Sequence, residues 1–298
     1  MYRLNVVGCG KVGRVLAAAL WRGEGISEIS VCNRSLMSTR ASQEFVGAGR
    51  ICQSVQELPE ADLWLVGAQD SQLVGLDETL AQLASLRAGQ IVFHCSGAYP
   101  SSLLRLVREK GAAVASFHPI QSFADPARAL DSFRGTLCSV EGDPRAYEVL
   151  SDLFGRVGAQ VFRISSEQKL ICHAGHVFAS NYLVVVLDAA RRLYEQVGMS
   201  DEISRACIES LARGALMNVS YMGTDRALTG PVARGDVELV RAQHDALGLI
   251  PTNSDGFDPR ALYAILARAA TDIAERRGEV DSAALRDLRE LLRVGNES

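Results

Sequence analysis

A chain of 298 residues is longer than one hydrophobic core usually grows, so two domains of about 130 to 165 residues each are expected. Its 48% hydrophobic and 22% charged content excludes a disordered or fibrous chain, and a net charge of −4 argues against nucleic acid as a partner. An anionic ligand would have to be held by a local cluster of donors, not by an overall field. The seven cysteines are odd in number and form no C-x-x-C pair, which points to reduced thiols in a cytoplasmic protein. Met1 leads within a few residues into a strand-like segment, so no secretory signal is expected. The most apolar run, Tyr182–Leu187, falls well short of the roughly 20 residues of a membrane span and is expected to be a buried helix, with no membrane partner.

In chain order, the first strand, Leu4–Val7, runs into Gly8-Cys9-Gly10-Lys11-Val12-Gly13 and then into the helix former Val15–Leu20. This is G-x-G-x-x-G between a strand and a helix. Gly8 permits the tight turn, Gly10 lets the backbone approach a diphosphate, and Gly13 lets helix and strand pack closely. The helix N-terminus then offers unpaired N–H groups and a partial positive charge to the phosphates. The second strand, Ile29–Cys32, ends at Asn33-Arg34-Ser35, where a site preferring NAD would carry Asp or Glu. Arg34 can fork onto a ribose 2′-phosphate, with Asn33 and Ser35 as neutral donors, so the expected cofactor is NADP(H). The alternative for Arg34 is a solvated loop residue.

The strand Leu63–Gly67 ends in Ala68-Gln69-Asp70, and Ile91–Cys95 ends in Ser96-Gly97. Ligands of open α/β sheets lie outside the carboxyl ends of strands, so these residues are expected on the cofactor, Ser96 and Gly97 toward its nicotinamide end. Cys95 reads as a small buried residue. The strand Ala113–Phe117 leads to His118, a cleft residue or an ordinary loop histidine. Strands at Leu137–Glu141 and Gln160–Ile164 complete a mostly parallel, doubly wound Rossmann sheet over residues 1–165.

From residue 166 to 298 the periodicity is helical, over Ser166–Val197, Ser200–Met222, Asp236–Leu247, Asp258–Arg277 and Ser282–Leu292, so an all-α domain is expected. On the first of these helices Lys169, His173, His176 and Ser180 fall within about 60° of one another, with Asn181 roughly 80° round from His173. Hydride reduction of a carbonyl or imine needs a proton donor, and Lys169 or His173 can be one, with Ser96 nearby. The other reading is a stripe that only hydrogen-bonds across a domain interface. Two histidines at i, i+3 lack a third local ligand, so no metal is expected. In the loop from Thr229 to Asp236, Arg234 can hold a substrate carboxylate, while Asp236 can cap the next helix.

These residues resemble the 6-phosphogluconate dehydrogenase-like superfamily, in which a Rossmann domain is followed at once by a helical domain whose first long helix carries catalytic groups. His94-Cys95-Ser96-Gly97, Ser116-Phe117-His118-Pro119, His173 to Asn181, Leu228-Thr229-Gly230-Pro231 and Arg234-Gly235-Asp236 look more closely like an uncharacterised bacterial family, with a Rossmann-like domain and a C-terminal helical domain of unknown function, described as NADP oxidoreductases. Hydroxyacid dehydrogenases of the superfamily use Lys-x-x-x-Asn, whereas Lys169 is followed four residues on by His173, a departure that bears on substrate class. The resemblance also implies a homodimer formed through the helical domain. The function expected is NADP(H)-dependent reduction of a small carboxylate-bearing ketone or imine, with His118, His176, Asn181, Thr229 and Arg234 as substrate contacts. The alternative is a non-catalytic NADP(H) sensor.

Overall fold

The computed structural model describes residues 1–251 and 256–293, and the chain forms two compact units, Met1–Tyr182 and Leu183–Ser298. The first is built on an eight-stranded sheet: β1 (Tyr2–Val7), β2 (Ile26–Cys32), β3 (Arg50–Cys52), β4 (Leu63–Val66), β5 (Ile91–His94), β6 (Ala113–Pro119), β7 (Leu137–Gly142) and β8 (Gln160–Arg163). All seven expected strands are present. β3, three residues without an alternating apolar pattern, is the one the sequence does not announce.

The spatial order is β3-β2-β1-β4-β5-β6-β7-β8. β1 to β6 are parallel, β7 runs antiparallel to β6, and β8 is parallel to β7. Chain direction reverses its walk across the sheet between β1 and β4, which opens a crevice at their carboxyl ends.

Both faces of the sheet are buried, as its near-continuous apolar strands require. One face packs Leu4, Val6, Leu65 and Phe93 under α1 (Lys11–Arg22) and α6 (Pro144–Arg156). Here Phe117 and Phe154 stack with ring centroids 3.9 Å apart. The other face packs Val7, Trp64, Val66 and Val92 under α3 (Leu73–Ala81) and α4 (Arg105–Glu109). On the first face two more helices pack against α1: α2 (Leu36–Val46), whose N-cap Ser35 accepts from the Ser38 N–H, and α5 (Pro126–Asp131). The unit closes with α7 (Lys169–Val177) and a π-helical turn, Phe178–Tyr182.

The second unit is helical: α8 (Leu183–Gln196), α9 (Asp201–Ala227), α10 (Pro231–Arg234), α11 (Val237–Gly248), α12 (Pro259–Arg277) and α13 (Ser282–Leu291). Its core joins Val232, Val240, Ala264, Ala267 and Leu288. Asp236, Asp258 and Asp281 cap α11, α12 and α13 by accepting from backbone N–H groups, so the capping role read for Asp236 is the one it plays.

Three expectations need adjusting. The units divide at Tyr182 and Leu183, not at residues 165 and 166, because α7 packs back onto the strand-end loops of the sheet. The polar stripe ends at His176: the 100° repeat fails in the π turn, and Ser180 and Asn181 there are exposed. The apolar run Tyr182–Leu187 is not buried within the chain, Val184 being 66% and Val185 54% exposed. By length and composition alone the helical stretch Lys169–Gln196, with a mean hydropathy of 1.6, is apolar enough to cross a membrane.

Candidate functional site

Two strand-end turns meet backbone to backbone. Gly8 has φ +75°, and a Cβ there would stand 2.8 Å from the Ala68 nitrogen. A Cβ on Gly67 would stand 2.6 Å from the Gly8 carbonyl oxygen and 3.0 Å from the Gly13 Cα. The turns after β1 and β4 can therefore close together only where neither carries a side chain. Gly10 differs, since its missing Cβ would face open space with only the Gly67 carbonyl oxygen at 3.8 Å. The first intrahelical bond of α1 is made by the Arg14 N–H to the Gly10 carbonyl, at 3.0 Å. The amides of Lys11, Val12 and Gly13 precede it, no acid lies in the first turn and no side chain caps the end, so these three N–H groups are left to a ligand.

A cavity of about 220 Å³ adjoins this cradle, lined by Gly8, Gly10, Arg14, Arg34, Ala68 and Gln69 with their neighbours, and no carboxylate lines it. Arg34 is exposed and makes no ion pair among the described residues. Asn33 is a correction: its Oδ1 accepts from the Cys9 N–H, and its Nδ2 donates to the Ser38 carbonyl at 3.0 Å and the Ser42 hydroxyl at 3.1 Å. With every polar atom engaged it ties the glycine loop to α2 and has nothing left for a phosphate. The Cys9 amide is likewise taken, the Ser35 hydroxyl is spent on capping, and the Lys11 ammonium donates to the Ala124 carbonyl at 3.0 Å. Asp70 opens an exposed 3₁₀ turn outside the cavity.

Sheet register lays one row of residues across the crevice: Cys32, Val7, Val66, His94, Ser116 and Glu141, each paired with the next. The row turns from apolar to polar at β5. His94 is fully buried; its Nδ1 accepts from the Ser96 N–H at 3.2 Å, which leaves Nε2–H to donate to the Pro100 carbonyl at 3.2 Å. Burial pushes its pKa down to about 4. The Ser96 hydroxyl accepts from the Ala98 and Tyr99 N–H groups, so it holds the turn after β5. Glu141, buried, accepts from the Ser101 N–H at 2.7 Å, the Ser101 hydroxyl at 2.8 Å and the Ser166 hydroxyl at 2.7 Å.

Beside this row stands Lys169. Its side chain is 1% exposed, and its Nζ is buried without a hydrogen-bond partner among the described residues. Burial lowers its pKa from the usual lysine range, opposed first by the Glu141 carboxylate. An orphaned ammonium inside a protein is rare because desolvating it is so unfavourable.

One and two turns along α7, His173 and His176 meet His118 from the end of β6. The ring centroids of His118 lie 5.8 Å from those of His173 and 5.3 Å from those of His176. A Cβ on Gly97 would stand 2.3 Å from His173 Cδ2 and 2.8 Å from His118 Nε2, so Gly97 is the spacer that lets the two imidazoles flank the loop after β5. His118 is pushed down to about 3, by burial first and then by Lys169, which keeps it neutral at physiological pH. His176 is also lowered by burial; its Nδ1 has no partner among the described residues and its Nε2 stands 3.6 Å from Cys172 Sγ. Among the described residues no three His, Cys, Asp or Glu side chains form a metal-binding group.

Thr229 and Arg234 belong to the second unit, Arg234 exposed at the end of α10. The sequence reading missed Arg14, His94 as a buried polar support, and above all Glu141. No motif marks Glu141, because its place depends on β7 running antiparallel.

The buried histidines set an acid limit on stability. Each holds a folded pKa below the ordinary 6.5, so the unfolded chain takes up protons that the folded chain refuses. Stability is full above pH 6.5 and falls as pH drops through about 4. His94 alone is worth on the order of 3 kcal/mol at the bottom of that window. Urea denaturation from pH 7 to pH 4 is expected to show a shallower loss for His94→Gln than for the natural protein; parallel slopes would show that His94 is not the group responsible.

Residues 2–119 match the model of a Rossmann-like domain, and residues 136–270 match the domain of unknown function DUF2520. No curated protein matches the chain in sequence. Among solved structures the chain is similar to BF3122 of Bacteroides fragilis, provisionally named an NADP oxidoreductase, with TM-score 0.72 and 21% identity over 91% of this chain and 98% of that one. It is also similar to a pyrroline-5-carboxylate reductase from Coxiella burnetii, with TM-score 0.57 and 16% identity over 98% and 99% of the two chains. A reductive aminase from Aspergillus terreus, in complex with NADPH and ethyl-5-oxohexanoate, gives TM-score 0.58 and 15% identity over 98% and 92%. At these identities the likeness is one of fold. The chain thus carries the two domains its motifs suggested, a Rossmann-like domain followed by the C-terminal domain of unknown function DUF2520.

Proposed function

We propose that this protein is a cytoplasmic NADP(H)-dependent oxidoreductase that reduces a small carboxylate-bearing ketone or imine, or oxidises the corresponding hydroxy or amino acid. The observation that carries the reading is the unpartnered ammonium of Lys169, buried in the same unit whose first glycine turn leaves three amides free for a diphosphate. One similar structure is named a pyrroline-5-carboxylate reductase, and another, a reductive aminase, holds NADPH. The residues present fit that cofactor: Gly10 opens the cradle, the first turn of α1 supplies N–H donors, and Arg34 meets a phosphate in a cavity without carboxylates.

NADPH would supply the hydride. The protein supplies the rest. Lys169 Nζ donates the proton to the oxygen or nitrogen that becomes electron-rich as the double bond is reduced, and a lysine pKa lowered by burial suits that step at neutral pH. His173, one turn further along α7, is the other candidate donor. His118, kept neutral, is a hydrogen-bonding group and not an acid. His176 offers the substrate its Nδ1, which has no partner among the described residues. A protein that only sensed NADP(H) would have no use for an orphaned ammonium, a group that natural interiors avoid.

The exposed apolar residues of α8 and α9, among them Val184, Val185, Leu211, Leu216 and Met217, are assigned to a homodimer interface. Lipid is the weaker occupant: α7 is committed to the sheet unit through Lys169, His173 and His176, and α8 ends in Asp188, Arg191, Arg192 and Glu195, joined in ion pairs.

Lys169→Met is expected to bind NADPH as the natural protein does while losing about 10²- to 10⁴-fold in turnover on a panel of keto and imino acids. It should also melt higher at pH 7. A lowered folded pKa means that the unfolded chain binds the proton more tightly, so the gain should shrink as pH approaches 10.5. Absence of NADPH oxidation with every member of the panel would remove the catalytic claim. Arg34→Asp is expected to weaken NADP⁺ binding while sparing NAD⁺; an unchanged preference in paired titrations would place the 2′-phosphate elsewhere. Analytical ultracentrifugation should find a dimer that Val185→Glu converts to a monomer, and a monomeric natural protein would overturn the dimer.

A further inference from the structure

Arg14 was not marked by any motif, yet it occupies an unusual position. Its backbone is settled, the N–H bonding to the Gly10 carbonyl in the first turn of α1, so only its side chain is free to act. That side chain runs toward α2, where the guanidinium lies 5.7 Å from the Phe45 ring centroid. Its Nε is buried and has no hydrogen-bond partner among the described residues. It lines the same acid-free cavity as Arg34.

Several other arginines are matched, among them Arg105 with Glu109, Arg156 with Asp152, Arg213 with Glu209 and Arg289 with Asp272 and Glu275. Two arginines that line one cavity and make no ion pair repel each other until an anion comes between them. A doubly charged phosphate monoester is the complement of such a pair, and guanidinium forks are the donors best shaped for it. The diphosphate is already provided for by the amides of Lys11, Val12 and Gly13, so the arginine pair is left for a second phosphate.

We propose that Arg14 is a specificity-determining residue: with Arg34 it forms a two-guanidinium clamp on the ribose 2′-phosphate, held in position by stacking on Phe45. This rests on the NADP(H) reading and adds to it a second, partly buried contact. Arg34 is free to sweep through solvent, whereas Arg14 is immobilised against an aromatic face, so Arg14 loses less freedom on binding and defines where the phosphate stops.

The test is calorimetric titration of the full chain with NADP⁺, NAD⁺ and adenosine 2′,5′-bisphosphate, with inorganic phosphate as a control for simple anion binding. Arg14→Gln is expected to weaken NADP⁺ and the bisphosphate together by about 10- to 100-fold, while NAD⁺ changes by less than about threefold. Arg14→Lys, which keeps the charge but not the fork, should fall between the two and serves as the second variant, both melting temperatures being compared with the natural protein. An equal loss for NADP⁺ and NAD⁺, or no loss for NADP⁺, overturns the clamp. If the natural protein binds NADP⁺ tightly and Arg14→Gln does so equally, only the role of Arg14 fails; if the natural protein binds neither nucleotide, the NADP(H) reading fails with it.

Discussion

The contact on which this molecule turns is the closure of two strand-end loops over a gap too narrow for a methyl group. Gly8, Gly13 and Gly67 let the turns after β1 and β4 touch through backbone alone, and that touch places the start of α1 over the crevice with its amides bare. Asn33 completes the arrangement by locking the glycine loop to α2 through three hydrogen bonds. A rigid, side-chain-free corner is what allows an anion to be met by donors that need not reorganise.

Across the sheet from that corner the chain accepts an unfavourable interior. His94, Glu141 and Lys169 are all buried, and while the first two are satisfied by hydrogen bonds, the third is not. Interiors seldom keep such a group unless something outside the fold makes use of it. The burial that lowers the ammonium's proton affinity is the same burial that weakens the fold, so reactivity and instability have one source here.

Much of this was legible in the sequence, and the reasons are local. The glycine spacing, the strand before it and the helix after it identify the cradle, because turn geometry depends on nearest neighbours. The seven longer strands announce themselves by β-branched runs, and Lys169, His173 and His176 by helical phase. What was not legible depended on the partner of each residue. Asn33 has the chemistry of a phosphate donor but was already bonded within the fold. Glu141 entered the site only because β7 is antiparallel to β6, and strand direction leaves no trace in composition. The stripe could not be extended to Ser180, since one wide turn breaks a repeat that arithmetic assumes to be uniform. Arg14 faced inward by virtue of packing on Phe45, a residue far along the chain.

The contrast between Asn33 and Arg34 has a consequence for how such a protein diverges. Adjacent in sequence, one is woven into the scaffold and the other makes no bond to it among the described residues. Exchanging the first unravels the corner, while exchanging the second disturbs no packing. Choice between nucleotides is therefore an inexpensive trait for a lineage to revise, and the grip that all such nucleotides share is inherited nearly unaltered.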